Sequence, residues 1–251
     1  MMPKPDEPKS DELGQAPRPI RIDRWNEWHT EYDDPDSELA LRMRTVRKHV
    51  AAVVAACPPG PVTVVSICAG QGREVIGALE NHPRRDDVRG RLVELDADNA
   101  AFAQQWVKQA HLEALEVVNG DASVSDAYAG VPRADLVVVS GLFGHVDDND
   151  RVSTIAFLRQ LLRSGGSVVW TSFLRDNGPV EKLRRFFVEQ SFDEIETEFL
   201  PGEEYRFTVT LSRHAGSEEP LRASTKLFTF GSARAGRQER RSDDPSRKVE
   251  K

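Results

Sequence analysis

The sequence predicts an α/β fold: a doubly wound, mostly parallel seven-stranded sheet with helices on both faces and an antiparallel C-terminal hairpin. Three observations carry that expectation. Strand-like and helix-like stretches alternate from residue 61 to residue 190, as successive βαβ units require. Several strand-like stretches are short and almost wholly apolar, notably PVTVVSI (61–67) and ADLVVVS (134–140), which fits parallel strands buried on both faces. Beyond the last helix, two alternating stretches (192–199 and 205–211) are joined through Pro201 and Gly202 without a helix between them, so they pair antiparallel.

The elements follow in order. Residues 37–56 form a helix, with Ser37 as N-cap and Pro58-Pro59-Gly60 as terminator. The first strand (61–67) runs into the turn Cys68-Ala69-Gly70-Gln71-Gly72, and a helix over 73–81 follows. A strand at 91–95, a helix at 97–110, and strands at 115–118 and 134–140 come next. Residues 150–163 carry Ile155, Leu158, Leu161 and Leu162 on one helical face, with Gly165-Gly166 expected to cap the C-terminus. A strand at 167–171 and a helix at 179–190, with Pro179 in its first turn, lead to the hairpin.

The chain has 251 residues, and 34 Lys and Arg against 41 Asp and Glu leave a net charge of −7. A chain of this length buries a sizeable core. No apolar run approaches the ~20 residues needed to cross a bilayer. The N-terminus lacks the apolar stretch of a secretory signal. Two cysteines, Cys57 and Cys68, cannot build a disulfide framework. The expectation is a cytoplasmic enzyme, and the acidic balance argues against broad contact with nucleic-acid backbones. Residues 1–18 and 232–251 are too polar to offset the entropy of ordering and read as disordered tails around one domain at 19–231. The second tail is basic, with seven Lys and Arg against four Asp and Glu.

In such a sheet, ligands bind beyond the carboxyl ends of the strands. Four groups of residues fall there. Ser66, Cys68, Ala69, Gly70 and Gly72 form the first loop, where glycines allow close backbone approach to a ligand. Glu94, with Leu95 beside it, ends the second strand, 24 residues past Gly70, a spacing that suits an acid accepting from ribose hydroxyls. Asp121 and Ala122 follow the third strand, where a carboxylate can accept from an exocyclic amine. Ser140 and His145 follow the fourth. The loop lacks the third glycine of a dinucleotide fingerprint, since Val75 stands there, and lacks the Gly-Lys-Ser/Thr of a phosphate loop.

On these residues the chain resembles the class I, Rossmann-like, S-adenosylmethionine-dependent methyltransferases, over about residues 25–230. Gly70 and Gly72 match glycines of the family's first motif, while Ser66 replaces its acid and Cys68 its first glycine. The resemblance implies that Glu94 takes the ribose, Asp121 the adenine, and the Ser140 backbone carbonyl the methionine moiety. It implies transfer of a methyl group to a nucleophile by direct displacement, with S-adenosylmethionine as cofactor. The Asn/Asp-Pro-Pro-aromatic motif used on amide and exocyclic amine targets is absent after the fourth strand, so the acceptor is expected to be a small molecule.

His145 and His29 are the candidate general bases, needed only where the acceptor must lose a proton. Trp25, Trp28 and Tyr32 are read either as an aromatic lid over the acceptor or as a hydrophobic staple for the first helix. Phe143 is expected to line the acceptor pocket. Asp147-Asp148-Asn149-Asp150 reads as a helix-capping loop, and no metal is expected. Two other readings stay open, a nicotinamide-dependent oxidoreductase and a non-catalytic nucleoside-binding module. Glu94→Ala is expected to weaken cofactor binding by about 1–3 kcal/mol.

Overall fold

The computed structural model describes residues 31–173, 178–202 and 207–231. The tails expected at 1–18 and 232–251 lie outside the described residues, as do Trp25, Trp28 and His29. The elements are α1 (Glu38–Ala56), β1 (Val62–Ile67), α2 (Arg73–Leu79), β2 (Val88–Glu94), α3 (Ala97–Gln109), β3 (Leu115–Asn119) and β4 (Ala134–Val139). They continue with α4 (Asp148–Leu161), β5 (Leu162–Phe173), α5 (Gly178–Glu189), β6 (Phe192–Phe199) and β7 (Phe207–His214). The strands make one seven-stranded sheet in the order β3-β2-β1-β4-β5-β7-β6. β1 to β5 are parallel, and β7 pairs antiparallel with both β5 and β6.

Alternation along the strands builds two cores. Val65 and Ile67 of β1, Val137 and Val139 of β4, and Trp170 of β5 pack with α4 and α5. Val62 and Val64, Leu136 and Val138, and Val169 pack with α1, α2 and α3. A strand covered on both sides buries its side chains at every position, as β1 does, the mainly apolar run including the buried Thr63 and Ser66. Because β1 lies between β2 and β4, the chain leaves it in opposite directions, and a crevice opens at the carboxyl ends of these strands.

Ser37 caps α1 as expected, its hydroxyl accepting from the Ala40 N–H at 3.0 Å. The last turn of α1 holds no basic residue. Arg84 takes that part from a distance. Its Nη1 donates to the carbonyls of Val54 (3.0 Å) and Cys57 (2.5 Å), and its Nη2 to those of Pro58 (2.9 Å) and Gly60 (3.0 Å). A charged fork thus satisfies the carbonyls at and just beyond the helix end.

Two expectations need correction. Strand β2 starts three residues earlier than its apolar run, at Val88, because β-sheet pairing with β1 extends over the polar Arg89. Gly165-Gly166 does not cap α4. The helix ends at Leu161, Leu162 already pairs with Ala134, and both glycines lie inside β5. Between the pairs Ala134/Leu162 and Leu136/Ser167 the register shifts, so the glycines form a bulge. Gly165 has φ +76°, and a Cβ on Gly166 would lie 2.9 Å from the Ala134 carbonyl oxygen.

His214 ends β7 fully buried. Its Nδ1 lies 3.3 Å from the Arg163 carbonyl oxygen, and among the described residues its Nε2 has no hydrogen-bond partner. Burial pushes its pKa below the ordinary histidine value; the Arg163 carbonyl opposes that, and Arg159 adds to it. The unfolded chain therefore binds the proton more tightly. Stability is complete above about pH 6.5, the unfolded value, and falls as pH drops toward the folded value. Urea titrations of the native chain should show this loss on acidification, and His214→Gln should flatten it. An unchanged pH slope in the variant would remove the assignment.

Candidate active site

A cleft of about 800 Å³ opens at the carboxyl ends of β1 to β4. Of the residues expected there, Ser66, Cys68, Ala69, Gly70, Glu94 and Leu95 line it. So do Asp121, Ala122, Ser140, His145 and Tyr32. The structure therefore brings four separated loops into one space.

The loop after β1 explains its composition. Cys68 and Gly70 have φ of +54° and +56°, in the left-handed region that disfavours most side chains. Cys68 occupies a conformation glycine adopts freely. Burial, then the charges of Glu94 and Asp121, push its thiol far above the ordinary range, so it is no thiolate at neutral pH. Gly72, with φ +71°, is the N-cap of α2 and does not line the cleft. A Cβ there would meet Ile76 Cδ1 at 2.5 Å, so this glycine serves helix packing.

Glu94 is held by the backbone. The Gly70 N–H donates to Oε2 at 2.7 Å and the Asp96 N–H to Oε1 at 2.8 Å. Burial raises its pKa, and these two donors oppose the rise. Asn119 clamps the same turn, Nδ2 donating to the carbonyls of Glu94 (3.1 Å) and Leu95 (2.8 Å). Each carboxylate oxygen keeps a second lone pair, so the acid is oriented without being saturated. Asp121 Oδ1 accepts from the Ser123 N–H (2.9 Å) and hydroxyl (2.5 Å), and Oδ2 lies 3.3 Å from Lys226 Nζ. Burial alone would raise its pKa, yet Ser123 and Lys226 hold it below the usual carboxylate value.

Phe143 is not in the cleft. It is 1% exposed and packs edge-on against Trp170 (6.1 Å) and Phe187 (5.9 Å), so the acceptor-pocket expectation is replaced by a core role. Its own apolar size won over its position next to the loop. Asp147 caps α4, accepting from the Asp150 N–H at 3.0 Å.

Sequence reasoning missed two groups. Arg42 and Glu74 line the cleft from α1 and α2, and nothing in their helical spacing marks them out. The other group is the segment 224–231, which returns across the cleft. Its backbone pairs with the loop after β3, through Ser125 N–H to the Thr225 carbonyl (3.0 Å) and Leu227 N–H to the Ser123 carbonyl (2.8 Å). The Thr229 N–H donates to Asp150 Oδ2 (2.9 Å), and the Gly231 N–H to the His145 carbonyl (2.9 Å). Phe230 stacks on the His145 ring at 5.0 Å, while Phe173 meets that ring edge-on at 6.1 Å. The one available signal was the apolar cluster Leu227, Phe228 and Phe230 between two polar stretches.

The family model described as "Putative methyltransferase" matches residues 40–174, from α1 through β5. The chain belongs to that methyltransferase family, and its fold is that of the class I methyltransferases. It is similar to magnesium protoporphyrin IX methyltransferase from Synechocystis PCC 6803, solved with bound S-adenosylmethionine, at 15% identity and a TM-score of 0.59, over 75% of this chain and 90% of that one. An O-methyltransferase family protein from Burkholderia thailandensis is 14% identical at a TM-score of 0.53, over 70% of this chain and 57% of that one. The [4+2]-cyclase SpnF matches at 11% identity and a TM-score of 0.55, over 71% and 82% of the chains. A sheet of this kind thus also serves a protein described by a different reaction, so residues rather than fold must decide the chemistry. An uncharacterized Escherichia coli (strain K12) protein, YnbC, is 33% identical over 113 residues, 44% of this chain and 19% of that protein's length.

Proposed function

We propose that this chain is an S-adenosylmethionine-dependent methyltransferase acting on a small-molecule acceptor. The observation that carries the reading is Glu94, a half-buried carboxylate tied to the Gly70 loop at 2.7 Å and sharing one cleft with Asp121. In this reading Glu94 accepts from the ribose hydroxyls, Asp121 accepts from the adenine amine, and Leu95, 70% exposed beside them, packs on the base. Cys68 and Gly70 turn the backbone so that it approaches the ligand closely.

The cofactor supplies an electrophilic methyl group when bound. The protein's part is to align the nucleophile with that methyl and keep water out. A cleft of about 800 Å³ has room for a nucleoside cofactor and a small acceptor together. The 224–231 segment closes its side, and the stacked His145 and Phe230 rings form an aromatic wall at the β4 end. His145 stands as the base for an acceptor that must lose a proton.

Calorimetric titration with S-adenosylmethionine, S-adenosylhomocysteine and NAD in parallel tests the reading. Micromolar affinity for the two sulfur compounds and none for NAD is the expected result. Silence from both sulfur compounds would overturn it.

A further inference from the structure

Aromatic rings close the β4 end of the cleft. Phe230 stacks on His145 with centroids 5.0 Å apart and planes 20° from parallel, and Phe173 meets the same imidazole edge-on at 6.1 Å. Phe207 packs behind Phe173 at 4.9 Å. The rings come from the loop after β4, the end of β5, the start of β7 and the 224–231 segment. The backbone is shaped to bring them together. A Cβ on Gly144 would collide with the Phe173 ring, so a side chain there would part the His145 loop from it. The Gly231 N–H donates to the His145 carbonyl at 2.9 Å, which pins Phe230 over the imidazole. Phe230 keeps 37% of its surface exposed and lines the cleft with His145 and Phe228.

The charged groups that line the cleft are committed elsewhere. Arg42 pairs with Glu74 at 3.8 Å, Arg73 with Asp33 at 2.7 Å, and Lys226 with Asp121 at 3.3 Å. The two carboxylates outside these pairs, Glu94 and Asp96, stand at the end of β2, on the far side of β1 from β4. Among the described residues, the β4 end therefore offers a ligand ring surface and no unpaired carboxylate, ammonium or guanidinium. An ion placed there would give up its hydration without gaining a partner. A flat π system gains both apolar burial and the preferred geometry of ring pairs.

We infer that the acceptor is an uncharged planar aromatic molecule, its ring packed on the wall that Phe230 and His145 form. The inference deepens the methyl-transfer reading and rests on it for calling this ligand the acceptor. A saturated ring of the same size would bury similar apolar area but lack the face for stacking. A carboxylate on the ring would meet no cation.

The test uses the full chain saturated with S-adenosylhomocysteine, and the variants Phe230→Leu and Phe230→Trp, each checked for an unchanged thermal unfolding profile. Three probes are titrated into each: 2-naphthol, its saturated analogue decahydro-2-naphthol, and the anion 2-naphthoate. The native chain is expected to bind 2-naphthol about 3- to 10-fold more tightly than the saturated analogue, the range of ring pairing beyond buried area. It is expected to bind 2-naphthoate more than about 10-fold more weakly than 2-naphthol. Phe230→Leu, which keeps apolar bulk, should lose most of the preference for the aromatic ring, and Phe230→Trp should retain it. No binding of 2-naphthol, equal native affinities for the aromatic and saturated rings, 2-naphthoate binding as tightly as 2-naphthol, or an undiminished preference in Phe230→Leu would each overturn the inference. A native chain that ignores S-adenosylhomocysteine would refute the cofactor reading alone, and the same titrations on the unloaded chain would still judge the aromatic subsite.

Discussion

Gly90→Ala is expected to lower stability by more than about 4 kcal/mol, at the extreme of single substitutions, and Tm by ~10 °C or more. Gly90 sits in β2 between β1 and β3, opposite Val64 and Leu115. Its φ of +141° lies outside what a side chain tolerates, and an added Cβ would stand 1.8 Å from the Val64 carbonyl oxygen and 2.8 Å from its carbonyl carbon. The obstacle is backbone, so no rotamer change relieves it. Relief requires parting β1 from β2, which breaks the sheet where both cores meet. Gly130→Ala is the matched control. Gly130 also has positive φ, +78°, but nothing lies within 4 Å of its added Cβ, so only the ~1–2 kcal/mol of conformational strain applies. Thermal melts of the two variants check the difference, and similar losses in both would show that the collision is relieved at little cost.

Glu94→Gln is expected to weaken S-adenosylhomocysteine binding by about 10- to 100-fold, the range of hydrogen bonds to a charged group. The carboxylate accepts from two backbone donors, one on each oxygen. A glutamine keeps one acceptor and turns its NH₂ toward the other N–H, so either Gly70 or Asp96 loses its partner. The Gly70 loop is then released from β2, and the ribose acceptor is lost in the same change. The substitution to alanine removes the acid but also its bulk, so glutamine is the sharper probe. Calorimetry on folded variant protein reads the effect, and native affinity in Glu94→Gln would remove the ribose assignment.

The order of strands and helices was legible because each βα unit carries its own local evidence. Apolar runs, a cap at Ser37 and breaks at Pro58-Pro59-Gly60 mark elements without any knowledge of neighbours. The loop residues Gly70, Glu94, Asp121, Ser140 and His145 were legible for a related reason. They follow strand ends, and parallel strands present all their carboxyl ends on one side. Gly165-Gly166 misled because a glycine pair signals a helix end and a strand bulge equally well, and only pairing with β4 separates the two.

What the sequence determined by itself is the alternating chain, the sheet that follows from it, and the set of loops that meet at its carboxyl edge. These depend on hydrophobic period and turn chemistry, both of which are short-range. Tertiary structure alone decided that Phe143 turns into the core between Trp170 and Phe187, that Arg42 and Glu74 meet from two helices, and that residues 224–231 cross back over the cleft. Those contacts join residues up to about a hundred positions apart, as Lys226 and Asp121 are. Their energies depend on burial and on which polar groups remain unpaired, quantities that exist only once the chain has packed.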